Sequence, residues 1–148
     1  MSKQILITGG AGFVGSHLAD GLLAAGHKVR VLDDLTPQVH GDGVPDYLSA
    51  EVELIVGDVR DSNRMRDVLE GVDVVYHFAA TVGVGQSMYE ISRYMSVNTQ
   101  GTAELLQAML DAKYSPEKLV VASSMSIYGE GRYRCSNCLL YTSDAADE

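Results

Sequence analysis

Residues 3–33 read KQILITGGAGFVGSHLADGLLAAGHKVRVLD, and this stretch decides the fold. Lys3–Thr8 is predicted as a strand: Ile5, Leu6 and Ile7 form a short apolar run that ends at Gly9-Gly10. Phe13–Ala25 is predicted as a helix, because Val14, Leu18 and Leu22 recur at i, i+4, i+8 on one face. Gly26 supplies a C-terminal stop. Lys28–Leu32 is a second strand, closed by Asp33.

The turn between the first strand and the helix is Thr8-Gly9-Gly10-Ala11-Gly12-Phe13-Val14-Gly15. Its glycines at 9, 12 and 15 are spaced G-x-x-G-x-x-G. Gly9 permits the tight turn out of the strand. Gly12 lets an anion reach the backbone, and Gly15 lets the helix pack closely. A pyrophosphate would then sit at a helix N-terminus, where unpaired N–H groups and the helix dipole favour negative charge. A glycine triplet alone also suits a purely structural turn. Its setting decides for the ligand: it follows a strand, opens a helix, and has Asp33 18 residues beyond Gly15. That is near the spacing at which a carboxylate accepts from the adenosine ribose hydroxyls. An acid there repels a 2′-phosphate, so NAD is favoured over NADP. Asp34 reads as a solvated loop acid.

The alternation continues along the chain. Asp34–Leu48 is a long loop carrying Pro37, Gly41, Gly43 and Pro45. Val52–Val56 is a strand, and Asp61 or Ser62 caps a helix running to about Glu70. Val72–His77 is a fourth strand, and Ala79–Ser87 a glycine-containing loop. Glu90–Lys113 carries one long helical pattern, and Leu119–Ala122 is a fifth strand. Nearly all-apolar strands between helices mean a parallel sheet covered on both faces: an α/β, Rossmann-type doubly wound fold, of which the N-terminal part is present. Residues 1–134 are expected to form one incomplete NAD-binding domain.

Charge narrows the partners. The net charge is −9, which argues against nucleic acid, whose binders carry a basic patch. No run approaches the roughly 20 apolar residues that span a bilayer, and the first residues lack a signal peptide's apolar region. No membrane partner and a cytoplasmic location are expected. Cys135 and Cys138, the only cysteines, indicate no disulfide framework. As Cys-x-x-Cys they would be half of a zinc site at most, so no metal is expected.

With TGGAGFVGSHL (8–18), VLDDL (31–35), GDVRD (57–61), HFAA (77–80), VNTQGT (97–102) and ASSMSIYG (122–129) in this order, the chain resembles the extended short-chain dehydrogenase/reductase family, in particular nucleotide-sugar epimerases. The segments DLTPQVHG (34–41) and TVGVGQSMYEI (81–91) are similar to the subgroup acting as dTDP-rhamnose 4-epimerases. The resemblance covers residues 3 to about 134. It implies NAD as cofactor and a nucleotide-diphosphate sugar as substrate, with a homodimer compatible with the full-length form. It implies that the turn residues Gly9, Gly12, Phe13, Val14 and Gly15 hold the cofactor with Asp33, that Asp58 and Val59 contact the adenine, and that Phe78, Ala79 and Ala80 line the cofactor. Asn98 would support the active site from the central helix, and Ser124 would be the catalytic hydroxyl. From the residues alone, Asp58 also reads as a cap for the next helix, Asn98 as a structural polar contact, and Ser124 as a strand-end hydroxyl. His77, His17 and Tyr128 read as structural. Met125 and Ser126 stand where dehydratase-type members carry acids, which favours epimerisation or simple oxidation/reduction.

The implied chemistry is transient oxidation at a sugar carbon: a tyrosinate, whose pKa a lysine lowers, removes the 4-OH proton while C4 gives hydride to NAD. The family supplies that pair as Tyr-x-x-x-Lys after the serine strand, and this chain has none there. Tyr114-Ser115-Pro116-Glu117-Lys118 matches literally, but it precedes the serine strand and Pro116 disfavours the helix it needs. CLLYTSDAADE (138–148) resembles a translated sequencing-adaptor tail. The expectation is that residues 135–148 are a non-native or disordered tail, that the C-terminal substrate domain is absent, and that 1–148 alone is inactive. A non-catalytic NAD-binding module and a reductase or 4,6-dehydratase of the same family are the alternatives.

Overall fold

A computed structural model describes residues 1–124, 132–134, 136 and 141–143. Five parallel strands form one sheet in the order β3-β2-β1-β4-β5: β1 Gln4–Thr8, β2 Lys28–Asp33, β3 Glu53–Val56, β4 Val74–His77 and β5 Lys118–Val121. Helix α1 (Phe13–Ala24) joins β1 to β2, and α3 (Ser62–Leu69) joins β3 to β4. The central strand shows why the apolar run at 5–7 is continuous. Leu6 faces one layer with Leu32, Val75, Met65, Val68 and Leu105. Ile5 and Ile7 face the other with Val29, Val31, Ala19 and Leu22. Successive side chains alternate faces, and both faces are covered. The register sets Thr8 beside Leu32 on one side and His77 on the other.

Three expectations change in detail. The loop 34–48 contains a single helical turn, α2 (Pro37–His40). Pro37 occupies its first position, where a missing N–H costs nothing, and Gly41 at φ +66° ends it. The loop 79–87 likewise holds one turn, α4 (Val84–Ser87).

The long helix expected over Glu90–Lys113 is three segments: α5 (Ile91–Tyr94), a π-helical stretch (Met95–Gln100) and α6 (Gly101–Asp111). The π stretch contains Asn98, whose side chain bonds outside the helix to the backbone of Thr81. Such insertions re-aim side chains and concentrate at functional sites. Gly101 then lies against Val59, where a Cβ would come within 2.6 Å of Val59 Cγ2.

Beyond the main sheet, β6 (Arg132–Arg134) and β7 (Tyr141–Ser143) pair antiparallel, so part of the segment expected to be a tail is a strand. Among the described residues, no helix is long and apolar enough to cross a membrane.

Candidate functional site

The chain builds β1, β2 and β3 outward in one direction, then returns to place β4 on the other side of β1. At such a switch point the loops diverge and leave a crevice beyond the strands' C-terminal ends. A cleft of about 460 Å³ lies there. Every residue expected at the cofactor except Asn98 lines it: Gly9, Gly12, Phe13, Val14 and Gly15 from the turn, Asp33 from β2, Asp58 and Val59 after β3, and Phe78, Ala79 and Ala80 after β4.

The three glycines serve different ends. Gly9 has φ +69°, and a Cβ on it would lie 2.6 Å from the Ala79 amide nitrogen. A Cβ on Gly15 would lie 2.4 Å from the Gly9 carbonyl oxygen. Both are therefore required by the protein's own packing. Gly12 is not: a Cβ there would meet only Gly9 O, at an ordinary 3.4 Å. What Gly12 leaves open is the cleft, at the N-terminus of α1. No side chain caps that terminus. Its first-turn N–H groups are thus available to an anion, and the turn fits a pyrophosphate. Gly10 is a third packing requirement, one that the triplet reading missed: its Cβ would lie 2.6 Å from Val31 Cγ2.

Asp33 is buried, and both its oxygens are engaged. Oδ2 accepts the Ala11 N–H at 3.0 Å and Oδ1 accepts the Leu35 N–H at 3.0 Å. His40 Nε2 of α2 lies 3.6 Å from Oδ1. A carboxylate has about four acceptor sites, so capacity for a ribose hydroxyl remains. Asp34 accepts the Thr36 N–H and hydroxyl, an Asx turn at the loop's start.

Asp58 does not cap α3; that role belongs to Asp61, which accepts from Asn63 N (2.9 Å) and Arg64 N (3.1 Å). Asp58 instead pairs with Arg60, and that hydrogen bond holds its carboxyl below the ordinary carboxylate range. Arg60 also reaches Ser96 Oγ at 3.2 Å, joining the loop after β3 to the π stretch.

Asn98 lies outside the cleft lining. Its Oδ1 accepts the Thr81 N–H at 2.8 Å and its Nδ2 donates to Thr81 O at 3.0 Å. It acts on the wall of the cleft by holding the loop after β4. Ser124 follows β5 at the same end of the sheet, is exposed, and is not among the residues lining the cleft. Met125, Ser126, Tyr128, Cys135 and Cys138 lie outside the described residues.

Sequence reading missed one wall altogether. Gln38, Val39 and His40 of α2, Gln86 of α4 and Arg93 of α5 also line the cleft. Gln38 and Gln86 exchange amide hydrogen bonds of 3.1 and 3.3 Å, and Tyr47 donates to the Ala11 carbonyl at 2.8 Å. The signal for α2 was present: Thr36-Pro37, with glycine at 41, has the punctuation of a short helix.

Known proteins share this fold. A dTDP-L-rhamnose 4-epimerase from Burkholderia thailandensis is 38% identical over 135 residues, which cover 89% of this chain and 37% of that protein. A UDP-N-acetyl-alpha-D-glucosaminuronate decarboxylase from Bacillus cytotoxicus is 37% identical, covering 88% of this chain and 39% of that protein. The crystal structure of UDP-glucose 4-epimerase from Brucella ovis in complex with NAD superposes with a TM-score of 0.75 at 29% identity, over 90% of this chain and 39% of that one. The chain thus spans less than two fifths of the length of these relatives. A family model described as "NAD dependent epimerase/dehydratase family" matches residues 5–142. The chain belongs to the NAD-dependent epimerase/dehydratase family.

Proposed function

We propose that this chain is the NAD-binding portion of a nucleotide-sugar 4-epimerase. The observation that carries the reading is Gly12: its missing Cβ opens onto the cleft at an uncapped helix N-terminus, and nothing in the protein's own packing requires the glycine. Residues of the glycine turn would hold the pyrophosphate by backbone N–H groups, Asp33 would accept from the adenosine ribose, and Asp58 and Val59 would flank the adenine. NAD, when bound, supplies the hydride acceptor and donor. The wall from Phe78 to Thr81, braced by Asn98, would orient the nicotinamide end toward Ser124, whose hydroxyl would hydrogen-bond the reacting sugar oxygen.

The 4-epimerase assignment rests on the likeness to the rhamnose and glucose epimerases. The equally covered decarboxylase shows that this part of the chain is shared among chemistries. A dTDP-hexose is the substrate class it favours. No Tyr-x-x-x-Lys follows Ser124 within residues 1–148, so these residues alone bind cofactor and do not turn over sugar. That same feature favours the second reading, a non-catalytic NAD-binding module.

Equilibrium titration of the chain with NAD and NADP tests the first claim, with NAD bound more tightly. A folded chain that binds neither removes the reading. Incubation with NAD and dTDP-L-rhamnose or UDP-glucose tests the second, and detectable turnover by residues 1–148 would overturn it.

A further inference from the structure

His77 ends β4 with its imidazole buried between two threonines, at 4% exposure. Nδ1 lies 2.7 Å from Thr8 Oγ1, and Nε2 lies 3.0 Å from Thr102 Oγ1. The protons can be assigned one by one. The Thr102 hydroxyl is 2.7 Å from the Asn98 carbonyl oxygen, which can only accept. Its proton goes there, so its oxygen must receive one from His77 Nε2–H. At the other end Ala79 N–H donates to Thr8 Oγ1 at 3.2 Å, which leaves the Thr8 proton for Nδ1. One neutral tautomer, protonated on Nε2, satisfies all four contacts. The neighbours from β1, β5 and α6, which are Thr8, Val121 and Thr102, carry no charge. Burial pushes the imidazole's pKa down, in keeping with a neutral ring.

The ends of this relay hold residues that line the cleft. Thr8 immediately precedes the glycine turn, and Ala79 lines the cleft. Asn98, at the far end, grips Thr81 through its own side chain. The stretch 79–81 is thus held from one side by Thr8 and from the other by Asn98, and His77 sets the distance between those two supports.

We propose that His77, as the neutral Nε2–H tautomer, is a positioning residue for the dinucleotide cleft, fixing the 79–81 wall between the glycine turn and the π stretch. The consequence for cofactor binding rests on the NAD reading above; the tautomer does not.

The tautomer is read directly by two-bond proton–nitrogen correlation of the ¹⁵N-labelled chain. Nε2 should appear as a pyrrole-type and Nδ1 as a pyridine-type nitrogen, unchanged as pH falls through the ordinary histidine midpoint near 6.5. The opposite tautomer, or ordinary titration there, overturns the proposal. NAD titrations supply the second readout. His77→Gln keeps a donor toward Thr102 and should stay within about threefold of the parent, whereas His77→Leu should lose about tenfold or more. Equal losses in the two variants, or none in His77→Leu, overturn the positioning role. Should His77→Leu fail to fold, Thr102→Val removes the same link at its far end and is read instead. A parent chain that shows the tautomer but binds no NAD overturns the NAD reading and the cleft role with it, while the relay stands.

Discussion

The Asp33 carboxylate accepts the backbone N–H of Ala11 at 3.0 Å, so the acid that ends β2 also braces the glycine turn beside it. Replacing it has two separable effects. Asp33→Ser leaves the Ala11 and Leu35 amides without this acceptor, a cost of about 1–3 kcal/mol each in stability. It also removes the charge that would repel a 2′-phosphate. Absolute affinity for both dinucleotides should fall, and the preference for NAD over NADP should shrink by about tenfold, ~1.4 kcal/mol. Paired titrations give the ratio. A ratio that does not move would take Asp33 out of ribose recognition and leave it as a brace.

The glycines should separate under a common substitution. Gly12→Ala adds a methyl that the protein tolerates at 3.4 Å, so its melting temperature should stay near the parent's while NAD affinity drops about tenfold or more. Gly15→Ala forces a methyl to 2.4 Å from the Gly9 carbonyl, and overpacking of this kind costs about 1–3 kcal/mol. Thermal melts and NAD titrations of both variants check the contrast. A Gly12→Ala chain that binds NAD as well as the parent would show that nothing needs to approach there.

Asn98→Asp is a one-atom test of the clamp on Thr81. The acceptor for the Thr81 N–H remains, but the donor to Thr81 O becomes an oxygen facing an oxygen. A loss of about 1–3 kcal/mol is expected, measurable by denaturant unfolding. An unperturbed chain would mean that the π stretch is held by other contacts.

Acid should weaken the fold through His77. Burial lowers its folded-state pKa below the ordinary 6.5, so the unfolded chain binds the proton more readily. The contribution is fully present above pH 6.5 and is lost as pH falls below it toward the folded value, at about 1.4 kcal/mol per unit within that window. Stability measured against pH for the parent and His77→Gln isolates the effect: the difference should be flat above 6.5 and change only below it. Superimposable curves would contradict it.

The strands, the glycine turn and Asp33 were legible because they rest on local rules: apolar runs for buried strands, glycine where backbone must approach, an acid at a fixed spacing. The π stretch was not. Val97 inside it and Leu105 and Met109 after it keep an ordinary helical pattern running through it, and the tertiary bond from Asn98 to Thr81 has no signature in that pattern. His77 read as structural, because no periodicity can report that Thr8 and Thr102 lie on either side of it. The wall from α2 was hidden by Pro37 and Gly41, which read as loop formers and in fact bound a helical turn.

The pairing of Thr8 with His77 joins residues 69 positions apart, across everything that lies between β1 and β4. Loop closure over that span must be met before the contact rewards it, and such parallel pairing is slow. On a ribosome, the glycine turn and Asp33 would emerge early as a βαβ unit with only half a binding site. The crevice opens only when β4 docks beside β1. Cofactor would then act on this chain as a late check: it can stabilise the finished sheet by mass action, but it cannot guide the first strands together.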